Sequence, residues 1–187
     1  MTAKLVVGLG NPEAKYHLNR HNFGFLALDQ LAKQPGFDFS PWKEKKKFLG
    51  WWSLGAKEGN QMLLLKPSTY MNYSGKAVAR AVVAYSLSPQ QIVVVHDDLD
   101  LPFGKLSWQF DKGAAGHHGV ESIIDSLGGR KDFYRLRLGI GKPPQGQTGE
   151  AYVLEDFSSR ELRELPRITN EALDLLWGQF SSLVTSC

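Results

Sequence analysis

Apolar residues along this chain follow two periods, one typical of strands and one typical of helices. The four residues 92–95, Ile-Val-Val-Val, show no polar alternation, which predicts a strand buried on both faces of a parallel or mixed sheet. Such a sheet, covered on both faces, indicates an α/β protein. Further strands are predicted at residues 4–9, 48–54, 61–65, 105–110 and 134–140, with 105–110 alternating like an edge strand.

Helical periodicity occupies the segments between these strands. Apolar positions three and four residues apart predict a helix after Asn22 as N-cap, a second helix capped by Ser74, and a third over residues 120–127. Residues 158–161 have the spacing of a capping box and predict a last helix, which Pro166 interrupts or restarts. The buried stripe of that helix is predicted to comprise Ile168, Ala172, Leu175, Leu176 and Phe180.

Polar clusters follow several of the predicted strands. The strand at 92–95 ends in one histidine and three carboxylates within residues 96–100. Other clusters contain Asn11, His21, Asn72 and the adjacent pair His117 and His118. If the strands are parallel neighbours, these groups converge in a crevice at the carboxyl edge of the sheet. The alternative is a solvated acidic turn, with asparagines that cap turns and histidines with structural roles.

The composition is that of an ordinary soluble protein, with 42% hydrophobic and 22% charged residues among 187. This length is most simply one domain over residues 1–187. Apolar runs of four or five residues are too short to span a bilayer, and no basic-apolar-small signal peptide opens the chain. We therefore expect a cytoplasmic protein with no membrane partner.

Cysteine and histidine usage argues against a metal or another cofactor. The only cysteine is Cys187, so an internal disulfide and a cysteine-based zinc cluster are both excluded, and no HExxH pattern is present. Gly8 and Gly10 form a G-x-G after a strand, but Pro12 follows at once and no third glycine completes the dinucleotide fingerprint.

The net charge of +3 permits a polyanionic partner without requiring one. The densest basic segment is residues 43–47, which contains four lysines. Such a run is most often a solvated face, and the alternative is contact with phosphate.

Six motifs, in order and spanning nearly the whole chain, resemble those of bacterial peptidyl-tRNA hydrolases. The resemblance implies an α/β fold in a single three-layer domain, with a mixed, twisted central sheet flanked by helices. It also implies a metal-free monomer that acts on peptidyl-tRNA. The motifs are GLGNP at 8–12, RHNFG at 20–24, KPSTYMNYSGKAV at 66–78, HDDLDLPFG at 96–104, GHHG at 116–119 and FYRLRLGIG at 133–141.

The resemblance implies that His21 is the catalytic base and that Asp97 orients it. The substrate would be the ester between a peptide carboxyl and the 3′-terminal ribose of tRNA. A neutral imidazole is a suitable proton acceptor for an attacking water, and a carboxylate on its other nitrogen fixes the tautomer and favours the imidazolium. No activated serine or cysteine is then required.

The resemblance also implies residues that bind the substrate. Asn11 and Asn72 would donate to the developing oxyanion or hold the peptide backbone, and Asn11 would distinguish a blocked amide from a free amine. Tyr16 and Tyr70 match positions that contact tRNA, where rings can stack on terminal bases. Arg137 matches one member of a clamp that binds the 5′ phosphate of the acceptor stem.

Four positions depart from the family's pattern, and one of them is Asn19, which stands where threonine is common. Gln109 stands where the second member of the clamp is usually lysine, so Lys105 or Lys112 would have to substitute for it. His118 stands where asparagine normally orients water and substrate, and a neutral imidazole cannot present both amide functions at once. Glu13 stands where glycine is common.

Two other functions are alternatives to hydrolysis of peptidyl-tRNA. One is a non-catalytic tRNA- or RNA-binding paralogue on the same fold, which the presence of His21, Asp97, Asn11 and Asn72 together argues against. The other is an unrelated small-molecule hydrolase or nucleotide-binding enzyme, which would not explain the paired asparagines.

Overall fold

The computed structural model describes residues 4–34, 38–57 and 60–184, with the backbone alone described at residues 57, 60 and 180–184. In this part of the chain, seven strands form one sheet in the order β2-β3-β4-β1-β5-β7-β6. The strands are β1 (Lys4–Gly8), β2 (Lys43–Lys45), β3 (Gly50–Lys57), β4 (Asn60–Pro67), β5 (Ile92–Asp98), β6 (Leu106–Phe110) and β7 (Tyr134–Gly139).

The sheet is mixed, as predicted. Strands β4, β1, β5 and β7 are parallel neighbours at its centre. Strands β2 and β3 on one side and β6 on the other are antiparallel additions. The prediction that residues 105–110 form an edge strand is confirmed by the position of β6.

Helices cover both faces of this sheet, because its central strands are apolar on both sides. Val93 and Val95 of β5 face one hydrophobic cluster, and Ile92 and Val94 face the other. The helices are α1 (Phe23–Leu31), α2 (Ser74–Tyr85), α3 (His118–Ser126), α4 (Gly149–Val153) and α5 (Ser159–Val184). The first cluster contains residues of α1, α4 and α5, and the second contains residues of α2 and α3. The predicted three-layer α/β arrangement is confirmed.

Helix α5 differs from the prediction at Pro166. The helix continues through this residue instead of restarting there. A proline within a helix removes the hydrogen bond to the carbonyl four residues earlier. One turn later, the Thr169 hydroxyl donates to the Leu165 carbonyl at 2.8 Å, and the buried face of the helix carries Ile168 and Leu176 against the sheet. Packing of this face outweighs the local cost of proline.

The start of α5 agrees with the sequence. The Ser158 amide donates to the Glu161 carboxylate at 2.7 Å, and the Glu161 amide donates to the Ser158 hydroxyl at 3.3 Å. This reciprocal pair is the predicted capping box. The side chain of Phe180 and all of Cys187 lie outside the described residues.

The prediction that Ser74 caps α2 is wrong, and the prediction that Asn22 caps α1 holds for its position only. Ser74 is the first residue of α2 rather than its cap, and its buried hydroxyl has no hydrogen-bond partner among the described residues. Asn22 occupies the N-cap position of α1, but its side chain does not cap the helix. That side chain binds the backbone of Asn11 instead.

The basic run at residues 43–47 is more ordered than the sequence predicts. Its first three residues form β2, and Lys46–Phe48 forms a 3₁₀ turn.

Among the described residues, no helix has the length and apolar character needed to cross a bilayer.

Candidate active site

The site lies where β1 and β5 end side by side. Gly8 pairs with Val95 in the parallel register, and the Leu9 amide donates to the Val95 carbonyl at 2.9 Å. Asp97 extends β5 beyond this point, and a 3₁₀ turn, Arg20–Asn22, carries His21 toward it just before α1. The carboxyl edge of a parallel sheet is therefore where the polar groups meet, as expected.

His21 and Asp97 are in direct contact. The His21 Nδ1 lies 2.9 Å from Asp97 Oδ1 and 3.1 Å from Asp97 Oδ2. Asp97 is 2% exposed and His21 is 8% exposed, so the pair is held away from solvent. Since a carboxylate only accepts hydrogen bonds, Nδ1 carries the proton in neutral His21. Nε2 is then the basic nitrogen, and it makes no hydrogen bond to a described residue.

A second histidine, His117, contacts the same carboxylate. Its Nε2 lies 3.1 Å from Asp97 Oδ1, and its Nδ1 accepts from the Gly119 amide at 3.1 Å and the Val120 amide at 3.4 Å. His117 is the N-cap of α3, and its ring centroid is 4.8 Å from that of His21. Because Nδ1 accepts, Nε2 must carry the proton and donate to Asp97.

The charges of the site are set by burial and by this shared carboxylate. Burial alone would lower the pKa of His21, but the charge and hydrogen bond of Asp97 raise it above its ordinary value of 6.5. Burial alone would raise the pKa of Asp97, but His21 and His117 hold it well below its ordinary value. Asp97 is therefore an anion throughout the physiological range, and it stabilises a proton gained by His21.

His96 lies behind the site as a buried neutral group. Its Nδ1 donates to the Asp97 carbonyl at 2.7 Å, and its Nε2 is buried with no hydrogen-bond partner among the described residues. Burial, followed by the proximity of His117, lowers the pKa of His96 well below 6.5. The His96 and His117 ring centroids are 4.6 Å apart in an edge-to-face arrangement, so His96 supports the site without facing its opening.

A cavity of about 420 Å³ opens beside the histidine pair. This volume lies within the range of small-molecule binding pockets and suits the end of an extended substrate. Its lining comes from the carboxyl edge of the sheet, from the glycine-rich segment before α3 and from α4. The lining residues are His21, residues 97–100, residues 115–118, Gly149, Glu150 and Val153.

In the described part of the chain, His21, Asp97 and His117 are also grouped closely enough to hold a metal ion, with ligand atoms within 4.8 Å of one another. The hydrogen bonds of His117 argue against this use. A metal on Nε2 of a neutral imidazole requires the proton on Nδ1, where it would face the amide donors of Gly119 and Val120. The residues are arranged to hold Asp97 rather than a cation.

Asn11 is fixed by two neighbouring segments. Its backbone N–H donates to Asn22 Oδ1 at 2.8 Å, and its carbonyl accepts from Asn22 Nδ2 at 3.0 Å. Its side-chain Oδ1 accepts from the Met71 amide at 2.9 Å. The Asn11 Nδ2 donors make no hydrogen bond to a described residue, and Asn11 is 8% exposed and is not among the residues that line the cavity.

Three other predicted substrate residues, Asn72, Tyr70 and Tyr16, are not among the residues that line the cavity. Asn72 is exposed on the turn Met71–Tyr73 and does not line the cavity. Tyr70 is 52% exposed, and its hydroxyl donates to the Glu13 carboxylate. Tyr16 is half-buried, with Lys15 Nζ 4.8 Å from its ring centroid. The bond from Tyr70 to Glu13 therefore joins the segment that carries Tyr70 to the segment that carries Tyr16. Within the second segment, Glu13 also pairs with Lys15 at 2.9 Å.

His118 lines the cavity but does not contact the buried pair. Its side chain is 58% exposed, with Nδ1 3.5 Å from the Glu121 carboxylate and Nε2 3.8 Å from that of Glu150. The substituted position in the glycine loop is thus a solvated residue at the cavity wall.

Arg137 and Gln109 are both engaged within the protein. Arg137 Nε donates to Asp98 Oδ2 at 2.6 Å, and Gln109 Oε1 accepts from the Arg135 guanidinium at 2.7 Å. The Asp98 carboxylate also accepts from the Asp100 amide at 2.9 Å. Lys105 and Lys112 are exposed. The predicted 5′-phosphate clamp therefore contains one arginine whose charge is already paired.

Sequence reasoning missed two residues that shape the site. It placed His117 in the glycine loop but gave the substrate role to His118, although the helix cap fixes His117 on Asp97. It took Asn22 for a helix cap, although Asn22 binds the backbone of Asn11. The motifs contained both residues, but only the register of β1 against β5 shows which side chains meet.

Comparison with known proteins identifies the relatives of this chain. Residues 5–185 match the family model described as peptidyl-tRNA hydrolase. Peptidyl-tRNA hydrolase from Synechocystis sp. is 47% identical over 175 residues, which cover 94% of this chain and 86% of that protein. The corresponding protein from Geobacter metallireducens is 42% identical over 176 residues, covering 94% and 88%.

A solved structure gives the same result for the fold. The crystal structure of peptidyl-tRNA hydrolase from Acinetobacter baumannii superposes with a TM-score of 0.83 at 34% identity, covering 96% of this chain and 91% of that one. Sequence, fold and the six motifs agree over nearly the full length. The chain belongs to the peptidyl-tRNA hydrolase family.

Proposed function

We propose that this protein hydrolyses the ester between peptide and tRNA in peptidyl-tRNA, releasing free tRNA and a peptide. The observation that carries the proposal is the buried His21 and Asp97 pair beside a cavity, with the basic Nε2 of His21 left without a protein partner. Family membership supplies the substrate class, since the relatives are named for this activity.

In the proposed reaction, His21 Nε2 takes a proton from water as the oxygen attacks the ester carbonyl carbon. Asp97 accepts a hydrogen bond from the Nδ1–H group and stabilises the imidazolium that forms. The tetrahedral intermediate then collapses, and the bond from the carbonyl carbon to the ribose oxygen breaks. The imidazolium returns its proton to that oxygen, which leaves as the hydroxyl of tRNA.

Amide donors would stabilise the oxyanion of that intermediate. The free Nδ2 of Asn11 supports its assignment to the substrate carbonyl or peptide backbone, because its Oδ1 is held by Met71. Asn72 lies next to Met71 on the turn Met71–Tyr73 and would reach a substrate that extends beyond the cavity. Since Nδ2 donates to a carbonyl and repels an ammonium, a blocked amide would be preferred to a free amine.

We propose that no metal participates, because His117 and His21 use the nitrogens that face Asp97 for hydrogen bonds. Family membership supports a further proposal, that the acceptor stem and 3′ end of the tRNA contact Tyr16, Tyr70, His118 and Arg137. We further propose a single domain, which is supported by the attachment of the described helices to one sheet, and a cytoplasmic monomer.

The decisive experiment measures release of free tRNA from N-acetyl-aminoacyl-tRNA by the wild type and by His21→Ala, with and without EDTA. We expect the wild type to cleave in both conditions and the variant to lose about 100- to 10,000-fold in kcat, the usual contribution of a general base. Binding of deacylated tRNA by the variant serves as the control for folding. Binding without release by the wild type would instead indicate an RNA-binding protein.

A second substrate tests the role of the asparagines. N-acetyl-aminoacyl-tRNA should be cleaved much faster than aminoacyl-tRNA, because the charged ammonium must be desolvated beside donors arranged for an amide. Asn11→Ala should reduce this preference. Equal cleavage of both substrates by the wild type would remove the proposed role of Asn11.

A further inference from the structure

Five cations without an acidic partner among the described residues lie along α2 and the neighbouring strand β2, and other such cations, including Lys105 and Lys112, lie elsewhere on the protein. We define the α2 stripe as Lys43, Lys45, Lys47, Lys76 and Arg80. None of the five forms an ion pair with a residue in the described ranges. Elsewhere several cations are neutralised by carboxylates: Lys15 by Glu13, Lys66 by Asp29, Arg130 by Asp132, and Arg167 by Glu171.

The fold brings the two halves of the stripe together. Lys43 and Lys45 stand opposite Trp52 and Gly50 in the β2–β3 register, and Trp52 faces the cluster covered by α2. Paired residues in antiparallel strands share one face of a sheet, so both lysines lie on the α2 side. The intervening Glu44 points to the other face.

Lys47 joins the strand to the helix. The Arg80 guanidinium donates to the Lys47 carbonyl at 3.3 Å, and Lys47 Nζ lies 4.7 Å from the Phe48 ring centroid. A shallow hollow of about 490 Å³ is lined by Lys47, Phe48, Ala79, Arg80, Val83 and Ala84. Helix α2 contains no acidic residue. Positive groups thus flank an apolar floor, with no carboxylate on the helix to repel an anion.

One end of the stripe lies next to the turn Met71–Tyr73. Lys76 lies one helical turn before Arg80, about 6 Å away along the axis of α2. Lys76 Nζ is 4.5 Å from the ring centroid of Tyr73, which is 49% exposed. Tyr73 belongs to the turn whose Met71 amide binds Asn11. A ligand that extends from the cavity over this turn would therefore reach the stripe.

We infer that the α2 stripe binds the phosphate backbone of the tRNA part of the substrate. This inference rests on the proposed function, which supplies a polyanion whose end lies in the cavity. Exposed rings interleaved with lysine and arginine are the features that bind nucleic-acid strands. The partner is RNA rather than a free phosphate because the cations form an extended row instead of converging on one point.

The predicted phosphate clamp on the opposite side of the site is weakened in this chain. Arg137 is paired with Asp98, and the neighbouring position on β6 is the uncharged Gln109, although Lys105 and Lys112 are exposed. Electrostatic attraction supplies much of the affinity of proteins for nucleic acids. The α2 stripe would supply part of that attraction in this chain.

The test compares two triple variants that remove the same charge. Lys43→Gln/Lys47→Gln/Lys76→Gln neutralises exposed stripe lysines, and Lys33→Gln/Lys131→Gln/Arg163→Gln neutralises exposed cations outside it. The Kd of deacylated tRNA is measured from 50 to 200 mM salt. Hydrolysis is measured separately with N-acetyl-aminoacyl-tRNA and with an N-acetyl-aminoacyl ester of adenosine, which has no phosphate.

We expect the stripe variant to raise the Kd and KM for tRNA by at least tenfold at low salt, with kcat unchanged. The slope of log K against log salt should fall by about 2 to 3, since each lost phosphate contact removes about 0.7 to 0.9. Hydrolysis of the adenosine ester and the thermal unfolding of the variant should match the wild type. The control variant should change tRNA binding much less.

Equal weakening by the two triple variants, or an unchanged salt slope, would overturn the inference. So would retained tRNA binding accompanied by lost binding to phosphatidylglycerol vesicles, because the stripe would then be a lipid-binding surface. A wild type that binds tRNA through the stripe but cleaves neither ester would contradict the proposed function alone.

Discussion

The Asp97 carboxylate accepts hydrogen bonds from two histidines, and this sharing determines the effect of a substitution there. His21 and His117 both reach Oδ1, so the charge of Asp97 both orients the base and holds the N-cap of α3. An amide in its place would keep one acceptor oxygen and present a donor to the other neighbour.

Asp97→Asn should lower kcat by about 100- to 10,000-fold, the range for loss of an oriented base. The sign of the pH effect follows from the charges. Asp97 raises the pKa of His21 above 6.5, so its removal lets burial lower that pKa. The acidic limb of the kcat/KM profile should therefore move to lower pH while the plateau falls. An unchanged profile would show that Asp97 does not influence the base.

Substitution of His118, unlike that of Asp97, is expected to leave activity intact or to raise it. His118→Asn should leave kcat/KM unchanged or raise it by up to about tenfold, because an amide adds a hydrogen-bonding function worth roughly 1 kcal/mol at the cavity wall. The side chain is exposed, so folding should not be affected. His118→Ala is the matched control and should lower kcat/KM. A tenfold loss in His118→Asn would mean that the imidazole has a role of its own.

At the scale of elements, the position of α1 depends on one close contact with the sheet. A Cβ on Gly24 would lie 2.3 Å from the Val95 carbonyl oxygen and 2.5 Å from the Leu9 amide nitrogen. These are backbone atoms, which cannot move aside as a flexible side chain would. Helix α1 can therefore pack here only if this residue is glycine.

Gly24→Ala should destabilise the protein by about 1 to 3 kcal/mol, the usual cost of overpacking. It should also reduce kcat, because α1 directly follows the turn that carries His21. Gly178→Ala is the control: no heavy atom of a described residue lies within 4 Å of its added Cβ, and alanine in a helix should stabilise by up to about 1 kcal/mol. Denaturant unfolding and kcat are the measurements. Wild-type stability in Gly24→Ala would show that α1 can shift freely.

Apolar periodicity predicted the main elements because burial decides them. The unbroken run at 92–95 became a strand covered on both faces, and the apolar face of α5 persisted through Pro166. Local propensity was less informative where tertiary contacts compete for a side chain. Asn22 and Ser74 are good caps in isolation, yet Asn22 is used by Asn11 and Ser74 is buried within α2.

The sequence predicted the position of the site and the contact between Asp97 and His21, but not the other pairings of its side chains. Strand ends indicated where the polar residues collect, and the motifs indicated His21 and Asp97. Strand register determined the rest. His96 pairs with Arg137 across β5 and β7, which brings Asp98 within reach of the Arg137 guanidinium. The neutralisation of this arginine therefore becomes visible only when the sheet is assembled.

At the scale of the whole molecule, three buried ionisable groups couple folding to pH in separate ranges. His21 has a raised pKa, so its stabilising protonation is complete below 6.5 and is lost as pH rises through the folded value. Asp97 has a lowered pKa, so its contribution is present above 3.8 and is lost as pH falls further. His96 has a lowered pKa, and the unfolded chain therefore binds a proton first as pH falls below 6.5.

Between pH 6.5 and pH 4 the acid sensitivity of the fold should consequently be carried in large part by His96. One such group reduces the free energy of unfolding by at most about 1.4 kcal/mol per pH unit. His96→Gln keeps a donor for the Asp97 carbonyl and removes the titration. Urea unfolding at pH 7.5, 6.5, 5.5 and 4.5 should show a shallower loss of stability below pH 6.5 in the variant, even if it is less stable at pH 7.5. His118→Gln, which changes an exposed imidazole, should follow the wild type. If His96→Gln loses stability with acid as steeply as the wild type, the sensitivity arises elsewhere in the protein.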